Sequence, residues 1–322
     1  MDQISRIACA AVAFCLPALL TVSTAFGQAQ LGPPQAFPQT STPVQPGVPP
    51  QAPAVPQAPD EFSLNALEQA ELDRVLDAWQ ASSGKIETFR CEFERWEYNA
   101  AFGPKNKDIP LNKNHGQLSY QKPDKGSFEI SKISTFQAEP VPPGQTPPAV
   151  IKGDWVEQPN AIGEHWVCDG KSIYEYRQQD KQLVERPIPP QLQGQAIVDG
   201  PLPFLFGAEA AKLKQRYKLR ILQQDNNQVW LKAKPKFQEQ AADFSEVIVI
   251  LNRQQLLPEA MRVTMPNGDW HDYMFDVTTA KKNGPVNWLK GFFDQPRMQF
   301  GWKHVVENMP LAQAPQAVQQ AR

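Results

Sequence analysis

The amino-acid sequence predicts an α+β domain that is mainly antiparallel β, with a helix at its start and a second short helix further along. Three observations predict this class. Apolar residues recur at helical spacing before residue 80, and they alternate with charged residues soon after residue 88. Turn signals then separate short strand-like runs as far as residue 277.

The first helix is predicted from its apolar face and its two ends. Four apolar residues recur at i, i+3, i+4 and i+7: Leu72, Val75, Leu76 and Trp79. Asn65 and Glu68 have the spacing of a capping box, and Gly84 is a stop signal. A second helix is predicted over residues 204–215, just after two prolines.

The strands are predicted from alternation and from turns. Phe89, Cys91 and Phe93 alternate with charged residues, and Trp96 then shifts the pattern, which predicts a β-bulge near Arg95. Two hairpins follow, around the turns at 122–126 and 169–170. Further strands are predicted over 229–233, 244–251, 261–265 and 270–277, and the proline-rich stretch 138–160 is predicted to be a long surface loop.

Both ends of the chain have the composition of segments outside the domain. Residues 1–27 have the form of a signal peptide, with Arg6 before a short apolar run and small residues after it, and a retained N-terminal anchor is the alternative. Residues 28–60 are predicted to be a disordered spacer rich in Pro, Gln and Ala, and residues 309–322 a disordered tail. The domain therefore occupies residues 61–308 of an exported protein of the periplasm or cell envelope.

Charge and cysteine content restrict the partners and the redox chemistry. The net charge is −2 and no basic stripe is present, so nucleic acid is not an expected partner. Cys91 and Cys168 remain after cleavage, in a compartment that permits a disulfide. They are expected either to pair or to be small buried hydrophobic residues.

No motif in the sequence predicts catalysis, a cofactor or a metal site. The four histidines are scattered singly, without metal-ligand spacing, and are expected to be surface or turn residues. The run Asp169 to Ser172 lacks the first glycine of a phosphate-binding loop. Glu92 with Glu94, or Asp272 with Asp276, share a strand face but alternate with apolar residues, which is typical of a solvated face.

Aromatic and aliphatic residues are abundant in the predicted strands. They are expected either to fill the core or to line an apolar cavity for a ligand. The candidates are Phe89, Phe93, Trp96, Leu118, Tyr120, Phe128, Trp166, Tyr174, Tyr176, Trp230, Met261, Tyr273 and Phe275.

The order of elements resembles the LolA/LolB lipoprotein-carrier superfamily, and more narrowly an uncharacterised planctomycete domain family of that type. The likeness covers residues 62–308. Besides the first helix, the segments that carry it are 86–93, 116–123, 167–176, 256–258 with the Asn267-Gly268 turn, and 291–296.

The resemblance implies an incomplete, curved β-barrel closed by helices that form a lid. In the carriers an arginine before a strand proline is associated with lid closure, and here Lys122 precedes Pro123, which makes Lys122 the candidate for coupling the lid. Lysine lacks the planar donor fork of arginine.

The implied function is the non-enzymatic binding of a lipid or lipoprotein acyl chain by a monomer that associates transiently with membranes. Two alternatives are kept. One is a protein-interaction or sensor module that binds an envelope protein, and the more remote one is a secreted hydrolase.

Overall fold

The structure is a computed structural model that describes residues 60–101, 109–140, 151–190, 193, 204, 209–242, 244–285, 289, 291–294 and 296–307. The predicted signal peptide and tail, and the predicted spacer up to residue 59, lie outside these residues. The described residues from Leu64 onward belong to one compact unit, and Asp60–Ser63 are the described residues of a second unit, Cys15–Ser63. In the described part of the chain, no helix is both long and apolar enough to cross a membrane.

The predicted fold class is confirmed, because the described residues form a large, open, curved and mostly antiparallel sheet. Its strands follow the order β14-β7-β6-β5-β3-β2-β1-β12-β11-β10-β9-β8, with β4 paired to β3 and β13 paired to β1. Only the β7–β14 pair is parallel among the described strands. The strands are β1 Thr88–Tyr98, β2 Asn112–Gln121, β3 Lys125–Ala138, β4 Gly153–Glu157, β5 His165–Asp169, β6 Ser172–Arg177, β7 Gln182–Pro187, β8 Tyr217–Gln224, β9 Gln228–Pro235, β10 Glu246–Asn252, β11 Pro258–Thr264, β12 Trp270–Phe275, β13 Lys281–Lys282 and β14 Lys303–Val306.

Three helices are described: α1 Ala66–Ser83, α2 Ala210–Arg216 and α3 Gln238–Ala241. The predicted capping box of α1 is confirmed. The backbone N–H groups of Leu67 and Glu68 each donate to Asn65 Oδ1 (2.9 Å), and Asn65 N–H donates to Glu68 Oε2 (2.8 Å). Gly84 ends the helix as predicted.

The apolar core lies between α1 and one face of the sheet, here called the inner face. The four predicted apolar residues of α1 are all buried and pack in a single cluster with inner-face residues of β1–β3 and β8–β12. Trp166 of β5 and Phe204 join the same cluster. Helix α1 therefore covers the concave side of the sheet, as the resemblance implies for a lid.

The structure corrects two predictions. The bulge near Arg95 is wrong, since β1 pairs without a register shift from Phe93–Phe275 to Tyr98–Trp270. The pattern changes there because a polar residue, Arg95, takes the buried inner-face position. The predicted loop 138–160 contains a strand, β4. The second helix, predicted over 204–215, is described at Phe204 and over Ala210–Arg216.

Candidate functional site

Nine of the thirteen predicted cavity residues lie in the core between the inner face and α1. They pack on one another, so that the Phe93 ring stacks on Phe128 (centroids 4.9 Å apart) and Phe128 stacks on Trp166 (5.7 Å). In this arrangement side chains fill the interior beneath α1. The nine residues are Phe89, Phe93, Leu118, Tyr120, Phe128, Trp166, Met261, Tyr273 and Phe275.

The other four predicted cavity residues, Trp96, Tyr174, Tyr176 and Trp230, lie outside this core cluster. Trp96 faces outward because it is three residues from the inward Phe93, an odd number in an unbroken strand. Trp230 alternates with the buried residues on either side of it. Tyr174 is opposite Val167, and Tyr176 stacks on His165 on the outer side (4.5 Å).

A buried polar cluster, the Arg95 cluster, lies at one end of the apolar core on the inner face. Arg95 Nη1 donates to Glu164 Oε2 (2.6 Å), and Arg95 Nη2 is 2.6 Å from Glu97 Oε1. Glu97 also accepts hydrogen bonds from Asn114 Nδ2 (2.7 Å) and Asn112 Nδ2 (3.0 Å). The cluster comprises Arg95, Glu97, Asn112, Asn114, Glu164, His271 and Tyr273.

Burial shifts several pKa values in the Arg95 cluster. It raises the pKa of Glu164, against the opposing effect of Arg95. For Glu97, burial is outweighed by the charge of Arg95 and by hydrogen bonds, so its pKa is lowered. Burial, assisted by Arg95, lowers the pKa of His271 to about 4, and burial raises the pKa of Tyr273 to about 12. At neutral pH the cluster therefore contains a neutral imidazole and phenol beside a charged guanidinium.

Several buried polar atoms near this site have no hydrogen-bond partner among the described residues. In the Arg95 cluster they are Arg95 Nε, Asn114 Oδ1 and His271 Nδ1. Within the apolar core they are the indole N–H groups of Trp79 and Trp166. A buried donor without a partner costs about 1–3 kcal/mol. The region between α1 and the inner face therefore contains unpartnered donors at its apolar end, and a donor, Arg95 Nε, with an acceptor, Asn114 Oδ1, at its polar end.

A second charged group extends the polar end along the sheet. Arg186 Nη1 is 2.9 Å from Glu175 Oε2, and both Arg186 and Arg177 also contact Glu307, at 2.9 and 3.1 Å. The charge of Glu175 contributes to the raised pKa of Glu164 in the Arg95 cluster. Ionised side chains thus continue from β1 across β6 and β7 to the residue after β14.

The edge of α1 is held by single polar contacts to separate parts of the sheet. Lys122 Nζ, the predicted lid-coupling group, is 3.2 Å from the carbonyl oxygen of Gly84 at the end of α1. Ser82 Oγ donates to Gln255 O (3.0 Å), and the side chain of Gln80 accepts a hydrogen bond from Ala210 N–H of α2 (2.6 Å). These three contacts lie near the C-terminal end of the helix, whereas its middle is held by apolar packing and by the ion pair of Asp73 with Lys214 of α2 (3.1 Å).

The two cysteines are free and buried. Their strands, β1 and β5, are separated by β2 and β3, which places them about 14 Å apart across a flat sheet, whereas a disulfide requires Cα atoms within about 7 Å. Cys168 Sγ instead donates to the Asp124 carbonyl (3.1 Å). Burial raises the pKa of both thiols to about 12.

The opposite, outer face of the sheet carries an open groove of about 720 Å³ across β3, β2, β1 and β12. Four carboxylate residues line it, against the single lysine Lys132. They are Glu92, Glu94, Glu129 and Asp276. Next to the groove, Lys113 Nζ lies over Trp96 (4.3 Å) and Trp155 (4.4 Å), so that aromatic rings continue the same surface.

Sequence reasoning missed the Arg95 cluster because its members are far apart in the chain. His271 was expected at the surface or in a turn, and its Nδ1 is buried. The available signal was Arg95 itself, a charged residue in the apolar phase of a strand. No group of His, Cys, Asp and Glu able to hold a metal ion occurs within the described ranges.

No protein-family model matches the chain, and no curated protein matches its sequence. Among solved structures, it is similar to an uncharacterized conserved protein from Thermus thermophilus (11% identity, TM-score 0.37, covering 74% of this chain and 99% of that one). It is also similar to the MucA/MucB complex of Pseudomonas aeruginosa (11% identity, TM-score 0.33, covering 68% of this chain and 60% of that one). A LolA superfamily protein from Nitrosomonas europaea is a further match (10% identity, TM-score 0.30, covering 68% of this chain and 97% of that one). The superfamily that the sequence resembles is therefore represented among these structures, whose TM-scores all lie below 0.4.

Proposed function

We propose that this protein is an exported, non-enzymatic binder of an amphiphile, a lipid or a lipoprotein acyl chain, which enters between α1 and the inner face of the sheet. The observation that carries the proposal is the change of polarity along β1. Its inner face is apolar at Phe89, Cys91 and Phe93 and becomes charged at Arg95 and Glu97 within the same strand. An acyl chain fits the first part and a polar head group fits the second.

The unpartnered donors indicate the chemistry of the ligand. The indole N–H groups of Trp79 and Trp166 and the Nε–H of Arg95 need acceptors. Ester, amide and carboxylate oxygens of an acylated molecule are acceptors, whereas a pure hydrocarbon has none. An acyl ester or fatty acid is therefore a better fit than a sterol-like or alkane ligand.

Because side chains fill the interior, α1 has to move for a ligand to enter. Burying ten methylenes is worth about 8 kcal/mol, and burying the four large apolar side chains of α1 at about 2 kcal/mol each is worth a similar amount. An acyl chain can thus replace the apolar face of α1 at little net cost. The single polar contacts near the end of α1, and the half-exposed ion pair of Asp73 with Lys214, oppose its movement only weakly.

Native mass spectrometry tests the proposal. Protein purified without detergent from its own envelope should carry an added mass equal to that of a lipid. Added cis-parinaric acid, a fluorescent fatty acid, should bind saturably at one site. A measured mass equal to that of the protein alone, together with the absence of saturable binding of cis-parinaric acid, would count decisively against the proposal.

A matched pair of tryptophan variants tests the role of the interior donor. Trp166→Phe keeps a ring on Phe128 but removes the N–H, and should weaken cis-parinaric acid binding by about 2- to 10-fold, the effect of one hydrogen bond. Trp230→Phe, on the outer side, should leave the Kd unchanged. Equal changes in the Kd of the two variants would show that the ligand does not bind in the interior.

A second candidate function is recognition of an envelope protein on the outer face, and the outer groove favours it. Its excess of carboxylates suits a partner segment rich in Lys or Arg. Replacing Glu92 and Glu129 with Gln should lower the recovery of that partner in a pull-down from envelope extract. Glu157→Gln, an exposed change on β4, is the control. Unchanged recovery with the groove variant would exclude the groove from partner binding.

A further inference from the structure

A tight turn just before β14 presents a phenylalanine entirely to solvent. The N–H of Trp302 donates to Gln299 O (3.1 Å), and Gly301 has φ +80°, the left-handed conformation that the third residue of a type II turn requires. Phe300 is the second residue of this turn, and its side chain is fully exposed. Met298, two residues earlier, is 55% exposed.

The turn is held in place on the C-terminal side of its tip. The ring of Trp302 contacts Tyr176 edge to face (centroids 6.0 Å apart). The N–H of Lys303 donates to Lys181 O (2.9 Å) as the chain enters β14, which pairs with β7. Phe300 is thus projected by an anchored turn.

The charged side chains of the segment itself are all basic. Residues 296–306 contain Arg297, Lys303 and His304 and no Asp or Glu. Arg297 and Lys303 are both exposed, and within the described part of the chain neither forms an ion pair. His304 is already 2.8 Å from Glu185. An apolar tip with a cationic surround is complementary to a membrane surface with anionic head groups.

We propose that the segment Arg297–Lys303 is a membrane-contact tip that inserts Phe300 and Met298 into the interface of an anionic lipid bilayer. Two projecting side chains are far smaller than the roughly 800 Å² per partner of a stable protein–protein interface, but they suffice for shallow insertion into lipid. Trp302, half-buried at the base of the turn, lies where the ring of an interfacial tryptophan is favoured.

Hydrogen–deuterium exchange of the full chain tests the proposal at the level of this segment, so that membrane binding by other parts of the chain does not affect the result. Vesicles of phosphatidylcholine and phosphatidylglycerol (about 7:3, a composition with a negative surface potential) should slow exchange in peptides that cover residues 297–303. Vesicles of phosphatidylcholine alone should protect these peptides less, and high salt should reduce the difference.

Two variants separate insertion from nonspecific adsorption. Phe300→Ser should raise the lipid concentration needed for half-maximal protection by at least about tenfold. Leu67→Ser removes another exposed apolar side chain, on α1, and should change nothing at 297–303. Protection that persists in Phe300→Ser, or no protection by either vesicle, overturns the proposal. The second result would leave a protein partner as the explanation for the exposed tip.

Discussion

Lys122 Nζ lies 3.2 Å from the carbonyl oxygen of Gly84, the residue that ends α1. The last carbonyl groups of a helix lack partners inside the helix and lie at the negative end of its dipole, so a cation stabilises them. The same ammonium is 3.2 Å from Glu87 Oε1, and the backbone N–H of Lys122 donates to Glu87 O (2.8 Å). The β2–β3 hairpin is therefore attached directly to the end of the helix that covers the core.

Replacing Lys122 with Met should loosen the last turn of α1. We expect amide exchange in residues 80–84 to accelerate about 2- to 5-fold, whereas the free energy of unfolding should fall by less than about 1 kcal/mol, because the contact is at the surface. Exchange mass spectrometry and urea unfolding measure the two effects. Lys122→Arg keeps the charge and should behave as wild type. If α1 exchanges equally in Met and Arg variants, the hairpin does not hold the helix.

Arg95 is expected to be the most sensitive charged position on the inner face. Arg95→Met leaves Glu97 and Glu164 without their cation in a buried site, which should cost about 3–5 kcal/mol in urea unfolding. Adding Glu97→Gln and Glu164→Gln should restore part of the lost free energy of unfolding, because the two unpaired buried charges are removed.

The control for Arg95 is Arg262, whose guanidinium forms an exposed pair with Asp272 (2.6 Å). Arg262→Met should cost less than about 1 kcal/mol. Similar costs at the two positions would mean that the Arg95 cluster is solvated and not a buried ion group.

The regular parts of this fold are local in origin, which is why the sequence predicts them. The capping box at Asn65 and the apolar stripe of α1 each depend on residues within one or two turns. The hairpin turn predicted at 169–170 is confirmed for the same reason, since Gly170 adopts the positive φ of a turn and β6 begins two residues later.

The Arg95 cluster and the filled interior are long-range features. Arg95 meets Glu164 across 69 residues, and only the pairing of β1, β2, β3 and β5 brings them together. The alternation of residues in β1 indicates that Arg95 shares a face with Phe93 in a regular strand. It does not indicate whether a bulge interrupts the strand. The partner of a buried charge is fixed by sheet order, which no local pattern contains.

His271 should make stability depend on pH between about 4 and 6.5. Its folded-state pKa of about 4 is below its unfolded value, so the unfolded chain takes up a proton first as the pH falls. The contribution is complete above pH 6.5 and is lost progressively down to about pH 4, with a total on the order of 3 kcal/mol. Urea unfolding at pH 7.0, 6.0, 5.0 and 4.5 measures it.

Comparison of two histidine variants isolates this effect. His271→Gln should change the slope of the pH profile in that window without flattening it, because burial also lowers the pKa of His165 and raises that of Glu164. His115→Gln, at an exposed position on the outer face, should keep the wild-type slope. An unaltered slope in His271→Gln would assign the pH dependence to other groups and would place His271 in a solvated site.

Gly116 allows the ring of Phe93 to lie flat across β2. A Cβ on Gly116 would overlap Phe93 Cζ and the carbonyl oxygen of Glu129, its neighbour on β3. We expect Gly116→Ala to lower the free energy of unfolding by about 1–3 kcal/mol, because the backbone oxygen cannot move away without distorting the β2–β3 pair.

A double-mutant cycle with Phe93→Leu separates the two overlaps. Leucine removes the ring that the new methyl group would strike, so the double variant should cost at least about 0.5 kcal/mol less than the sum of the single variants. Strictly additive costs would show that only the Glu129 carbonyl resists the methyl group. In that case Phe93 could change its position freely, and its stacking on Phe128 would not be fixed by the close approach to β2.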